Sequence, residues 1–124
     1  MTCVFDSIIN ALRLNINSRI FVSVLKTNNK RTTNVLWNGT ALTPQQMDEN
    51  YERIDNLNID AIGSGYDCST FDPVLFLVCE LYTVDIKHTF IDTTITYKYK
   101  NSDTLICNRQ LNFNSDRGHF WTSG

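Results

Sequence analysis

Residues 72–99 read DPVLFLVCELYTVDIKHTFIDTTITYKY, and a change of period inside this stretch decides the fold. Asp72 can cap a helix, Pro73 suits a first helical position, and Leu75, Phe76, Val78, Cys79 and Leu81 follow. A helix that is apolar on most sides belongs in the centre of a core. After Tyr82 the pattern alternates instead. Residues 84–91 and 93–99 repeat every second position, with Ile95, Tyr97 and Tyr99 on one face. A core helix running into two strands is predicted.

Toward the N-terminus, Thr43, Pro44 and Gln46 form the start of another helix, with a Thr-x-x-Gln capping box. Met47, Tyr51, Ile54 and Leu57 are its inward stripe. Residues 3–13 predict a helix as well, because Val4, Ile8 and Leu12 repeat at i, i+4 and i+8 beside Phe5 and Ile9. Residues 19–26 are β-branched and aromatic enough for a strand, with a helix as the alternative. Residues 28–34 are a polar turn region. Toward the C-terminus, residues 104–113 and 118–122 supply two short strands around the polar turn 114–118. Helices come first and strands last, with no internal repeat. That order predicts one α+β domain over residues 1–124, its N-terminal helices packed on a C-terminal antiparallel sheet.

The 124 residues suffice for one core, and the hydrophobic (42%) and charged (19%) fractions are those of a globular domain. Asn and Thr each occur 14 times, which favours strands, turns and caps over long helices. A net charge of −2 argues against a nucleic-acid binder. The charge is uneven. Between Asp48 and Glu80 eight carboxylates (Asp48, Glu49, Glu52, Asp55, Asp60, Asp67, Asp72, Glu80) face one cation, Arg53. Such a run is either a solvated face or a surface that receives a basic partner. Cys3, Cys68, Cys79 and Cys107 lie far apart, which predicts free thiols in a reducing compartment and no zinc site. No apolar run reaches the roughly 18 residues of a membrane span, so a cytoplasmic domain with no membrane partner is expected.

A cysteine becomes a nucleophile as its thiolate, and a helix N-terminus stabilises that anion. Cys3 stands where the first helix should begin. Cys79, inside the apolar helix, reads as a core residue. The general base of such a site is a histidine, and the chain has two. His88, between Lys87 and Thr89, reads as a surface strand position. His119 follows Gly118 and opens the final aromatic strand His-Phe-Trp-Thr.

Thr2 to Leu12 resembles the nucleophile helix of papain-like enzymes such as ovarian-tumour-type deubiquitinases and viral leader peptidases. Asp72 to Ile86 is similar to their core helix running into a central strand. Ile106 to Trp121, with Gly118-His119-Phe120, resembles the terminal strand pair that bears the catalytic histidine. The three stretches stand in the right order and together cover 42 residues. The resemblance implies a compact papain-like, ovarian-tumour-like fold, with Cys3 as nucleophile and His119 as base, and no cofactor. Two features depart from the pattern. Trp121 occupies the place where many such enzymes put an orienting Asp or Asn, which leaves a backbone carbonyl, Asn112, Asn114 or Asp116, or no third member. Only Met1 and Thr2 precede Cys3, so backbone N–H groups at the helix start must serve as oxyanion hole.

A nucleophile this close to the first residue suggests a domain excised from a longer, viral polyprotein, acting in the host-cell cytoplasm. Gly63, Ser64, Gly65, Tyr66 and Asp67 are the substrate-binding candidate, because glycines let a peptide backbone approach closely. The expected function is removal of ubiquitin or a ubiquitin-like modifier from conjugates. The alternatives are processing of a viral polyprotein and a non-catalytic α+β interaction module.

Overall fold

A computed structural model describes residues 3–57, 71–100, 110–115 and 120–122. In chain order its elements are α1 (Cys3–Leu12), α2 (Ser18–Thr27), β1 (Val35–Trp37), β2 (Thr40–Ala41), α3 (Pro44–Asp55), α4 (Phe71–Tyr82), β3 (Asp85–Phe90), β4 (Thr93–Tyr99), β5 (Gln110–Ser115) and β6 (Phe120–Thr122). The class is α+β. Among the described residues, no helix is long and apolar enough to cross a membrane.

Local chemistry sets the starts of α2 and α3. The Thr43 hydroxyl accepts from the Gln46 N–H (3.1 Å), and the Gln46 side chain accepts from the Thr43 N–H (2.8 Å), closing the expected capping box of α3. Residues 19–26 form helix α2, not a strand. Asn17 caps it by accepting from the Ile20 N–H at 2.9 Å. Phe21, Val22 and Leu25 are its buried residues, and two adjacent inward side chains fit a helix face but not a one-sided strand.

The hairpin of β1 and β2 interrupts the helices-first order expected from the sequence. Asn38 (φ 50°) and Gly39 (φ 85°) join Trp37 to its partner Thr40. Two successive left-handed residues are the turn that an Asn-Gly pair favours between strands. Asn38 also docks this hairpin on β4. Its N–H donates to the Thr96 carbonyl and its side-chain oxygen accepts from the Thr96 N–H, both at 2.9 Å.

The strands form one sheet in the order β2-β1-β4-β3-β5-β6. The sheet is mixed, not antiparallel throughout: β3 and β5 run parallel, from Asp85 opposite Gln110 to Phe90 opposite Ser115. Val35, Ile86, His88, Tyr97, Leu111 and Phe113 are buried on one face, while Lys87, Thr94, Thr96 and Gln110 are exposed on the other. Helix α4 packs on β1, β3 and β4, and α1 packs on β5 and β6. The outcome is two layers around one core, with Phe76 edge-on to Trp37 (5.8 Å) and to Tyr97 (5.2 Å).

Candidate active site

Cys3 is the first residue of α1, whose Phe5, Ile8, Ile9 and Leu12 are buried and hold the helix against the sheet. A helix start offers unpaired N–H groups and the positive end of the dipole, the setting in which a thiol ionises most easily. The side chain of Cys3 is outside the described residues. So are all of His119, Gly63, Ser64, Gly65, Tyr66 and Asp67, and also Cys68, Cys107 and Asp116. The described backbone brings two of the expected parts together. Helix α1 packs against β6, whose first residue, Phe120, is bonded to His119.

Of the residues considered for orienting His119, Asn112 and Asn114 are described. Both belong to the sheet face turned away from the helices, where they line a shallow recess of about 180 Å³ with Lys87 and Thr89. Asn112 accepts there from the Gln110 amide at 2.9 Å.

His88 is not a surface residue. It is 5% exposed, on the inner face of β3 between Ile95 of β4 and Phe113 of β5. Burial lowers its pKa from the ordinary value, and the nearby Asp72 carboxylate opposes that shift. Asp72, on the first turn of α4, accepts from the hydroxyl of the fully buried Tyr97. Burial, and then Asp72, raise the pKa of that phenol. A signal for this buried group was present in the sequence. Ile86, His88 and Phe90 alternate with Asp85, Lys87 and Thr89, so period two assigns the histidine to the apolar face.

The described carboxylates of the acidic stretch do not form one surface, and Asp60 and Asp67 lie outside the described residues. Asp48, Glu49, Glu52 and Asp55 are exposed on α3, where Asp48 pairs with Arg31 at 3.0 Å. Glu80 is buried and accepts from both the backbone and the side-chain amide of Asn34, at 2.9 and 3.0 Å. Asp72 is taken up by Tyr97. A cavity of about 230 Å³ between α3 and the start of α4 is lined by Trp37, Gln46, Glu49, Asn50, Arg53 and Asp72, among others. Among the described residues, no three histidine, cysteine or carboxylate side chains could share a metal ion.

Compared with known proteins, the chain matches no family model, no curated protein and no solved structure.

Proposed function

We propose that the chain is a papain-like cysteine peptidase that removes ubiquitin or a ubiquitin-like modifier from conjugates. The observation that carries this reading is the packing of α1, opened by Cys3, against β6, the strand entered from His119. The order of nucleophile helix, core helix and histidine-bearing strand supports it further. In the proposed reaction, the Cys3 thiolate attacks the carbonyl carbon of the modifier's terminal glycine. His119 receives the thiol proton and returns it to the departing amine, leaving a thioester on Cys3. His119 then deprotonates the water that hydrolyses the thioester. The N–H groups at the start of α1 stabilise the oxyanion of both steps.

Ubiquitin bearing a C-terminal electrophile tests this directly. The wild-type chain should form a covalent adduct, mapped by mass spectrometry to Cys3, and Cys3→Ala and His119→Ala should form none. An adduct on Cys68 or Cys107, or one that survives in Cys3→Ala, would refute the assignment.

A further inference from the structure

We propose that Asn38-Gly39, the turn of the β1–β2 hairpin, is a site of spontaneous deamidation, held back by the clasp of Asn38 on Thr96. This modification is independent of the peptidase reading, because its residues belong to the hairpin and to β4. In the reaction the backbone nitrogen of Gly39 attacks Cγ of Asn38. A C–N bond forms there, the bond from Cγ to Nδ2 breaks, and ammonia leaves with the proton that Gly39 gives up. Water then opens the cyclic imide at one of its two carbonyls, leaving an aspartate or an isoaspartate. Glycine is the follower that hinders such an attack least, since it carries no side chain beside the nitrogen. Of the 14 asparagines, Asn38 alone precedes a glycine. Asn38, Gly39 and Thr40 are all exposed, and a Cβ added at Gly39 would meet no atom within 4 Å. Water and the rearranging chain both have room.

The fold uses the same amide for another task. Trp37 pairs with Tyr97, and Asn38 continues that ladder by one residue along β4. Its N–H donates to the Thr96 carbonyl, and its Oδ1, in place of a backbone carbonyl, accepts from the Thr96 N–H, both at 2.9 Å. The Thr96 hydroxyl donates to the same oxygen at 3.4 Å. Main chain and side chain of Asn38 are therefore fastened to one residue, in a turn set by φ values of 50° and 85°. In the proposed gate, Cγ turns toward the Gly39 nitrogen only when Oδ1 has left the Thr96 N–H. Local opening of a hairpin tip costs less than unfolding the whole chain. The two products then differ. Aspartate tolerates the left-handed conformation and offers Thr96 a charged, stronger acceptor. Isoaspartate routes the main chain through Cβ and lengthens a two-residue turn whose flanks, Trp37 and Thr40, are paired. Thr96 then loses its partner. Trp37, edge-on to Phe76 at 5.8 Å, carries the change to α4.

The test incubates the wild-type chain in mildly alkaline buffer, folded and unfolded in guanidinium chloride. Mass spectrometry of digests follows the replacement of NH2 by OH at each asparagine, and fragmentation distinguishes aspartate from isoaspartate. Asn38 should convert before any other asparagine in the unfolded chain, and roughly tenfold more slowly in the folded one, because the hairpin must open first. Conversion of another asparagine ahead of Asn38 in the unfolded chain would overturn the site. A folded chain that reacts within twofold of the unfolded rate, or faster, would overturn the gate. Hydrogen exchange then reads the clasp itself. Protection of the Thr96 N–H in Asn38→Asp should stay at or above that of wild type, whereas the purified isoaspartate form should exchange roughly tenfold faster. Equal protection in the isoaspartate form, or its loss in Asn38→Asp, would overturn the assigned effect of the modification.

Discussion

The thiol of Cys79 is fully buried, and burial, followed by the carboxylates of Asp85 and Glu80, pushes its pKa well above the ordinary value. Reactivity follows thiolate fraction and exposure, so this thiol is inert in the folded chain. Cys3 stands at the opposite kind of address, the start of a helix. A brief alkylation with iodoacetamide near neutral pH should place the label on Cys3 and leave Cys79 unmodified until the chain is denatured. On the proposed pairing, the Cys3 reaction should move to higher pH in His119→Ala, because an imidazolium that favours the thiolate would be gone. Label on Cys79 of the folded chain, or a pH profile that ignores His119→Ala, would contradict these roles. Cys79 was legible as a core residue because a single helical pattern decides it. His88 was misread for the opposite reason: its neighbours Lys87 and Thr89 are polar, but they belong to the other face of the strand. The influence of the Asp72 carboxylate on His88 acts across 16 positions of sequence, and no local pattern encodes that.

Elements whose ends are written in side-chain chemistry were the readable ones. The capping box of α3 is carried by Thr43 and Gln46 alone, and α4 begins within one residue of its Asp-Pro signal. Helix α2 was harder, because its β-branched residues favour a strand while its cap at Asn17 and its buried Phe21, Val22 and Leu25 favour a helix. Tertiary burial decided between them. The β1–β2 hairpin was missed although Asn38-Gly39 announces it, since strands of three and two residues have too little length to show a period. Two substitutions measure these local terms by chemical denaturation. Thr43→Ala should cost about 1 kcal/mol through the lost cap. Gly39→Ala should cost about 1–2 kcal/mol through backbone strain alone, because no atom lies within 4 Å of the added methyl group. A Gly39→Ala variant as stable as wild type would show that the hairpin adopts another turn.

At the scale of the whole molecule, one buried polar group joins the two layers. Asp72 belongs to α4, Tyr97 to β4 and His88 to β3, so the contact between core helix and sheet contains a titratable histidine. Period two places His88 on the apolar face, but no pattern in the chain foretold that Asp72 lies near it, just as none foretold the parallel pairing of β3 with β5. Both depend on strands that meet across long stretches of sequence, whereas periodicity reports only neighbours. The charged group that acts on His88 is Asp72 of α4, while β4 sets Ile95 and β5 sets Phe113 directly opposite it. Burial is the larger influence and Asp72 the opposing one, so the folded-state pKa of His88 lies below its ordinary 6.5. Between the two values the unfolded chain binds a proton that the folded chain refuses. The stabilisation from a neutral His88 is therefore whole above pH 6.5 and is lost as pH falls through that window. Urea denaturation at a series of pH values should show wild type losing stability on acidification more steeply than His88→Gln, which keeps a polar side chain but does not titrate. The two curves should separate below pH 6.5 and run parallel above it. Curves that stay parallel down to pH 5 would mean that His88 takes up its proton as easily in the folded core as in the unfolded chain, and that Asp72 compensates fully for the burial.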